Sequence, residues 1–128
     1  MVVKLVEFRS WVRAKFEAAH KITHHLGKCK ELHGHTYIVE VAVSSKGLDN
    51  LNMVIDFENL RNKLSEVLKM IDHKYLNEVL QEDDITAEFL ALFIYKELSK
   101  KLPEGIKLAV VRVYENPDYW AEVVNNDR

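Results

Sequence analysis

The stretch Cys29-Lys30-Glu31-Leu32-His33-Gly34-His35, taken together with His20 upstream, decides the fold and points to the chemistry. Residues at i and i+2 of an extended strand face the same way, so His33 and His35 can grip one ion, and Gly34 between them lets other backbone come close. A His-x-His pair by itself is often two ordinary polar strand residues, so its neighbourhood has to give it weight. Downstream, Tyr37, Val39, Val41 and Val43 keep the parity of the two histidines, which predicts a strand over 34–45. Upstream, Val12, Ala14, Phe16 and Ala18 alternate with Arg13, Lys15 and Glu17, and His20 continues the apolar face. That predicts a strand over 2–20, bent or bulged near Ser10. The polar connection 21–32 reads as a hairpin-like loop. Antiparallel pairing of the two strands then delivers His20 to the sheet end that carries His33 and His35.

Beyond the turn at Lys46-Gly47 and Asp49-Asn50 the period changes. Phe57, Leu60, Leu64, Val67, Leu68 and Ile71 recur at three- and four-residue steps, which predicts an amphipathic helix over 58–71. A polar segment, 77–84, leads to a second helix over 86–101, with Leu90, Phe93, Ile94 and Leu98 on its stripe and Thr86 as N-cap. Pro103 and Gly105 end it; residues 106–115 alternate again as a strand, and a short last strand covers 119–124 after the Asn116-Pro117-Asp118 turn. The order ββααββ predicts an α+β domain: a four-stranded antiparallel sheet with two helices on one face. Trp11, Tyr119 and Trp120 then leave large apolar area outside the helix-covered side, which suggests burial against other subunits.

Composition narrows the function classes. A chain of 128 residues with 48% hydrophobic residues buries one full core, so a single domain over 1–128 is expected. A net charge of −2, with 18 basic and 20 acidic residues interspersed, gives no electrostatic case for nucleic acid or an anionic membrane surface. No signal-peptide h-region and no apolar run of membrane length is present, which fits a soluble, cytoplasmic protein. The single cysteine, Cys29, excludes an intrachain disulfide and fits a reducing compartment.

Each candidate residue has an ordinary reading beside the chemical one. His20 alone is a core histidine bonded to backbone; with His33 and His35 it completes three imidazoles for Zn²⁺, leaving a fourth position for water or substrate as catalytic sites do. Cys29 is a small buried hydrophobe, a fourth zinc ligand that closes the site, or a free base or nucleophile. Asp72-His73 is a solvated helix terminus, or a carboxylate orienting a histidine for proton transfer. Glu115 ends an otherwise apolar parity, so its carboxylate is either paired structurally or kept for a ligand with adjacent N–H donors. His24 and His25 read as solvated loop residues.

Six runs together resemble the 6-pyruvoyl tetrahydropterin synthase family, in order over nearly the whole chain: Phe16-Glu17-Ala18-Ala19-His20, Cys-x-x-x-His-Gly-His at 29–35, Val54-Ile55-Asp56-Phe57, Asp72-His73-Lys74-Tyr75-Leu76-Asn77, Thr86-Ala87-Glu88 and Arg112-Val113-Tyr114-Glu115. The resemblance implies a tunnelling fold, with three subunits joining their sheets into a barrel and two trimers stacking into a homohexamer. It implies zinc on His20, His33 and His35, Cys29 as base, and Asp72 and His73 completing a proton relay from a neighbouring subunit. It also implies Glu115 as pterin anchor, with Thr86 and Glu88 lining the pterin pocket. Three residues between Cys29 and His33 resemble the 6-carboxytetrahydropterin-forming branch, which serves 7-deazaguanine (queuosine and archaeosine) synthesis. The implied reaction converts 7,8-dihydroneopterin triphosphate to 6-carboxy-5,6,7,8-tetrahydropterin, with loss of acetaldehyde and triphosphate. The sister activity forms a 6-pyruvoyl product on the same scaffold, and a non-catalytic metal- or pterin-binding oligomer is the reading from another class.

Overall fold

The computed structural model describes residues 6–127. Two 13-residue strands, β1 (Phe8–His20) and β2 (His33–Ser45), form its antiparallel centre, in unbroken register from Phe8 opposite Ser45 to His20 opposite His33. The expected irregularity near Ser10 is absent from this pairing, and residues 2–5 of the expected strand lie outside the described residues. Helix α1 (Phe57–Leu68) starts at Asp56, whose carboxylate accepts from the Glu58 N–H at 2.8 Å, and buries Leu60, Leu64, Val67 and Leu68. It stops three residues short of the sequence-based limit because Met70, Ile71 and Asp72 close tight turns onto Val67 and Leu68.

A two-residue strand, β3 (Lys74–Tyr75), runs parallel to the end of β1, and the short helix α2 (Leu76–Val79) follows it. Both lie where the sequence suggested only a helix end and a polar linker. Helix α3 (Ala87–Ser99) is capped by the Thr86 hydroxyl, which accepts from the Phe89 N–H at 3.1 Å. Strands β4 (Lys107–Asn116) and β5 (Tyr119–Val124) complete a five-stranded sheet in the order β3-β1-β2-β4-β5. The four expected antiparallel strands are therefore all present, and the sheet gains a parallel edge piece at the end that carries the histidines.

The helix-covered face holds the core: Phe16, Tyr37, Val39, Val41, Leu60, Leu64, Leu90, Ile94 and Leu98 pack there out of solvent. Each such leucine stabilises the fold by roughly 1.5–3 kcal/mol through burial. The other face is polar and aromatic. Arg13, Glu40, Arg112 and Glu122 occupy one cross-strand row with alternating charge, and Trp11 and the stacked Tyr114–Trp120 pair flank it. No helix among the described residues is long and apolar enough to cross a membrane.

Candidate functional site

Because His20 pairs with His33 and Ala18 with His35, the three imidazoles converge at one sheet end; a ligand nitrogen from each lies within 4.8 Å of the other two. His20 Nδ1 donates to the Ile85 carbonyl at 2.8 Å, and His33 Nδ1 donates to the Glu31 carbonyl at 2.7 Å. A carbonyl can only accept, so in both rings the proton sits on Nδ1 and the lone pair on Nε2. The Nε2 atoms of His20 and His35 are buried and have no hydrogen-bond partner. Burial holds both rings below the ordinary imidazole range, hence neutral, which is the form that binds metal. Two orphaned imidazole nitrogens with a ligand nitrogen of His33 within 4.8 Å of both fit a divalent ion such as Zn²⁺, with a coordination position left over.

Glu115 stands beside this cluster, its Oε1 3.7 Å from His20 Nε2. It also lines a cavity of about 290 Å³ with Thr86, Glu88, Tyr119 and Trp120. The structure thus brings together the three residues singled out for substrate contact, and Thr86 still caps α3 through its hydroxyl. Tyr37 lies edge-on to His20 and His35; its buried phenol has no partner and is held protonated by burial.

Asp72 and His73 meet as well, but elsewhere. Asp72 Oδ1 accepts from the Glu17 N–H at 3.0 Å and lies 3.0 Å from His73 Nδ1. His73 Nε2 approaches Glu17 Oε2 at 3.5 Å, and Glu17 Oε1 accepts the Thr36 hydroxyl at 3.1 Å. His73 adopts φ +58°, a left-handed conformation uncommon outside glycine, and its N–H donates to the Glu17 carbonyl. The Glu17 N–H holds the Asp72 carboxyl below the usual carboxylate range. Glu17 and Thr36 have the strand parity opposite to His20 and His35, so this cluster opens onto the face without helices, at a hollow of about 590 Å³. Cys29 sits half-buried in the 3₁₀ turn Lys28–Lys30, and its thiol is not part of the three-histidine group.

Sequence reading overlooked Glu17 and Thr36, because polar residues on the outward parity of a strand look merely solvated. It also overlooked Asn77 and the pairing of His24 with Asp84, where Nδ1 donates to Oδ2 at 2.9 Å. Only proximity across 60 residues reveals that pair; nothing in local spacing signals it.

The comparisons with known proteins agree with this geometry. A 6-carboxy-5,6,7,8-tetrahydropterin synthase of Synechocystis sp. is 40% identical over 71% of this chain and 74% of its own. A dihydroneopterin monophosphate aldolase of Pyrococcus furiosus is 35% identical over 87% of this chain and 92% of its own. The 6-pyruvoyl tetrahydropterin synthase structure of Caenorhabditis elegans superposes with a TM-score of 0.85 at 22% identity, covering 98% of this chain and all of the other, which shows the fold. The family profile described as 6-pyruvoyl tetrahydropterin synthase matches residues 9–126, and with that match the chain belongs to this family.

Proposed function

We propose that this protein is a zinc-dependent carbon–carbon lyase that converts 7,8-dihydroneopterin triphosphate and one water to 6-carboxy-5,6,7,8-tetrahydropterin, acetaldehyde and triphosphate. The observation that carries the reading is the set of three converging imidazoles beside Glu115 and the Thr86–Glu88 cavity. The Cys-x-x-x-His spacing at 29–33 and the relatives named for this activity support the carboxy-forming branch.

His20, His33 and His35 would hold the zinc, which when bound would supply Lewis acidity to side-chain oxygens of the substrate. The residues of the chain do the rest. Glu115 accepts from the amino and ring N–H groups of the pterin, a two-point contact that fixes its orientation, while Thr86 and Glu88 line the pocket. Cys29 acts as the base toward the substrate side chain, and His73, oriented by Asp72 on Nδ1, carries the proton onward. In one protomer His73, with Asp72 at its Nδ1, lines a hollow on the sheet face away from the helices, which supports a relay delivered to a neighbouring subunit and, with it, a homohexamer of two stacked trimers. We read the whole chain as one such domain, acting in the cytoplasm on a small-molecule substrate.

Mass spectrometry of the product tests this directly. Zinc-loaded protein given dihydroneopterin triphosphate is expected to release 6-carboxytetrahydropterin with equimolar acetaldehyde; a 6-pyruvoyl product moves the chain to the sister activity. The Pyrococcus furiosus relative favours a second reading, aldol cleavage of dihydroneopterin monophosphate. In that case the monophosphate is turned over in preference, yielding a hydroxymethyl pterin and a two-carbon aldehyde phosphate. No conversion of either substrate by folded, metallated protein overturns both readings and leaves a binding protein.

A further inference from the structure

Asn77 is the second residue of α2 and not one of the three clustered histidines, yet its amide is fully engaged at the root of that cluster. Oδ1 accepts from the Lys21 N–H at 2.9 Å, and Nδ2 donates to the Lys21 carbonyl at 2.9 Å and to the Asp83 carbonyl at 2.8 Å. Lys21 directly follows His20. Asp83 lies two residues before Ile85, whose carbonyl receives the His20 Nδ1–H. The same two segments are joined by the Ile85 N–H to the Lys21 carbonyl at 3.3 Å and by the isolated bridge between Ile22 and Asp84. One amide side chain therefore holds both the backbone that carries the imidazole and the backbone that carries its acceptor.

We propose that Asn77 is a positioning residue of the metal site: it sets the His20–Ile85 hydrogen bond, and through it the tautomer and aim of His20. This rests on the reading of His20, His33 and His35 as metal ligands. The physical basis is that a ligand imidazole is oriented by the acceptor on its other nitrogen, and that acceptor is useful only while its own backbone is fixed. Neutral side-chain to backbone bonds in such number also leave little freedom for the amide to turn, because exchanging its O and N would set donor against donor at Lys21 N and acceptor against acceptor at both carbonyls.

Two variants and two readouts test it. Asn77→Ala removes all three bonds, and Asn77→Asp keeps the acceptor for the Lys21 N–H while losing both donated bonds; the Asp variant serves if the Ala variant does not fold. In metal-free protein, the His20 Nδ1–H is expected as a slowly exchanging imidazole proton resonance that disappears in either variant. Zinc affinity, measured by competition with a chromophoric chelator, is expected to fall about tenfold. As a control, Thr23→Val deletes a different staple to the same Asp83 carbonyl, at 2.7 Å, and is expected to leave zinc affinity within about twofold. A folded Asn77 variant that keeps both the protected proton and wild-type zinc affinity overturns the proposal, as does an equal loss in Thr23→Val. A wild-type protein that binds no zinc overturns the metal reading instead, and the imidazole resonance still decides the role of Asn77.

Discussion

His20 and His73 lie near the same end of the sheet and live in opposite surroundings. The His20 side chain is 1% exposed, fixed by a backbone carbonyl on one nitrogen and left bare on the other. The His73 side chain is 72% exposed, flanked by carboxylates at both nitrogens and carried on a left-handed backbone. The first region is finished within one chain: the core packs it and keeps it neutral. The second is arranged but open, with Glu17 and His73 lining a hollow on the bare side of the sheet. A buried cluster can be complete in a protomer, while an acid–imidazole pair on an exposed face needs something brought to it.

The strongest way to break this contrast is His35→Ala, expected to weaken zinc binding on the order of a thousandfold because a third of the donor set is gone. His73→Ala is expected to leave zinc affinity within about twofold, since it lies outside the cluster. Equilibrium dialysis separates them, and equal zinc retention by both variants would abolish the distinction. Next come Cys29→Ala and Asp72→Asn, each expected to lower turnover by about 10²–10⁴-fold with zinc retained. Dissociating these two inactive proteins and reassembling them together is expected to restore part of the activity, because some mixed sites then hold an intact thiol and an intact Asp72. Absence of any recovery would place both groups in one subunit's site.

A smaller effect concerns acid. In the metal-free protein His20 and His35 titrate below the unfolded-state value of 6.5, so the folded state binds fewer protons than the unfolded one over that window. Their stabilising contribution is thus complete above that value and declines as pH falls through it toward the lowered folded-state values. His24, raised by its bond to Asp84, has the opposite sign: its contribution is present below 6.5 and is lost as pH rises through its folded-state value. In a His24→Gln background, which removes the opposing contribution, urea midpoints taken between about pH 7.5 and about pH 5 are expected to fall on acidification, and a rise would mean that His20 and His35 are not held neutral. The smallest effect belongs to the bare face. Arg13→Ala opens the 2.6 Å pair with Glu40, yet protomer stability is expected to change by no more than about 1 kcal/mol in thermal unfolding, because the guanidinium is largely solvated.

What was legible in the sequence follows the same division. Alternation in β1 and β2 disclosed the strands, the shared parity of His20, His33 and His35 disclosed their convergence, and three- and four-residue steps disclosed α1 and α3. These signals are local, repeated and driven by burial. Strand β3 was invisible because two residues carry no period, and its pairing with Ala18 and Ala19 depends on a turn made by His73. Glu17, Asn77 and Asp84 were missed for a related reason: each acts through hydrogen bonds to residues about 55 to 60 positions away, which only the finished fold brings near.

Two of the three imidazoles take their tautomer from main-chain carbonyls, those of Ile85 and Glu31. Every amino acid owns that group, so no substitution at 85 or 31 can delete it. Position 85 needs a side chain that suits its fully buried place, and position 31 has an exposed one that is free to vary. Saturation mutagenesis of this site would therefore draw an uneven map, intolerant at the histidines, selective for apolar side chains at position 85 and permissive at position 31. Lineages can rewrite the letter at position 31 without changing how the His33 ring is held.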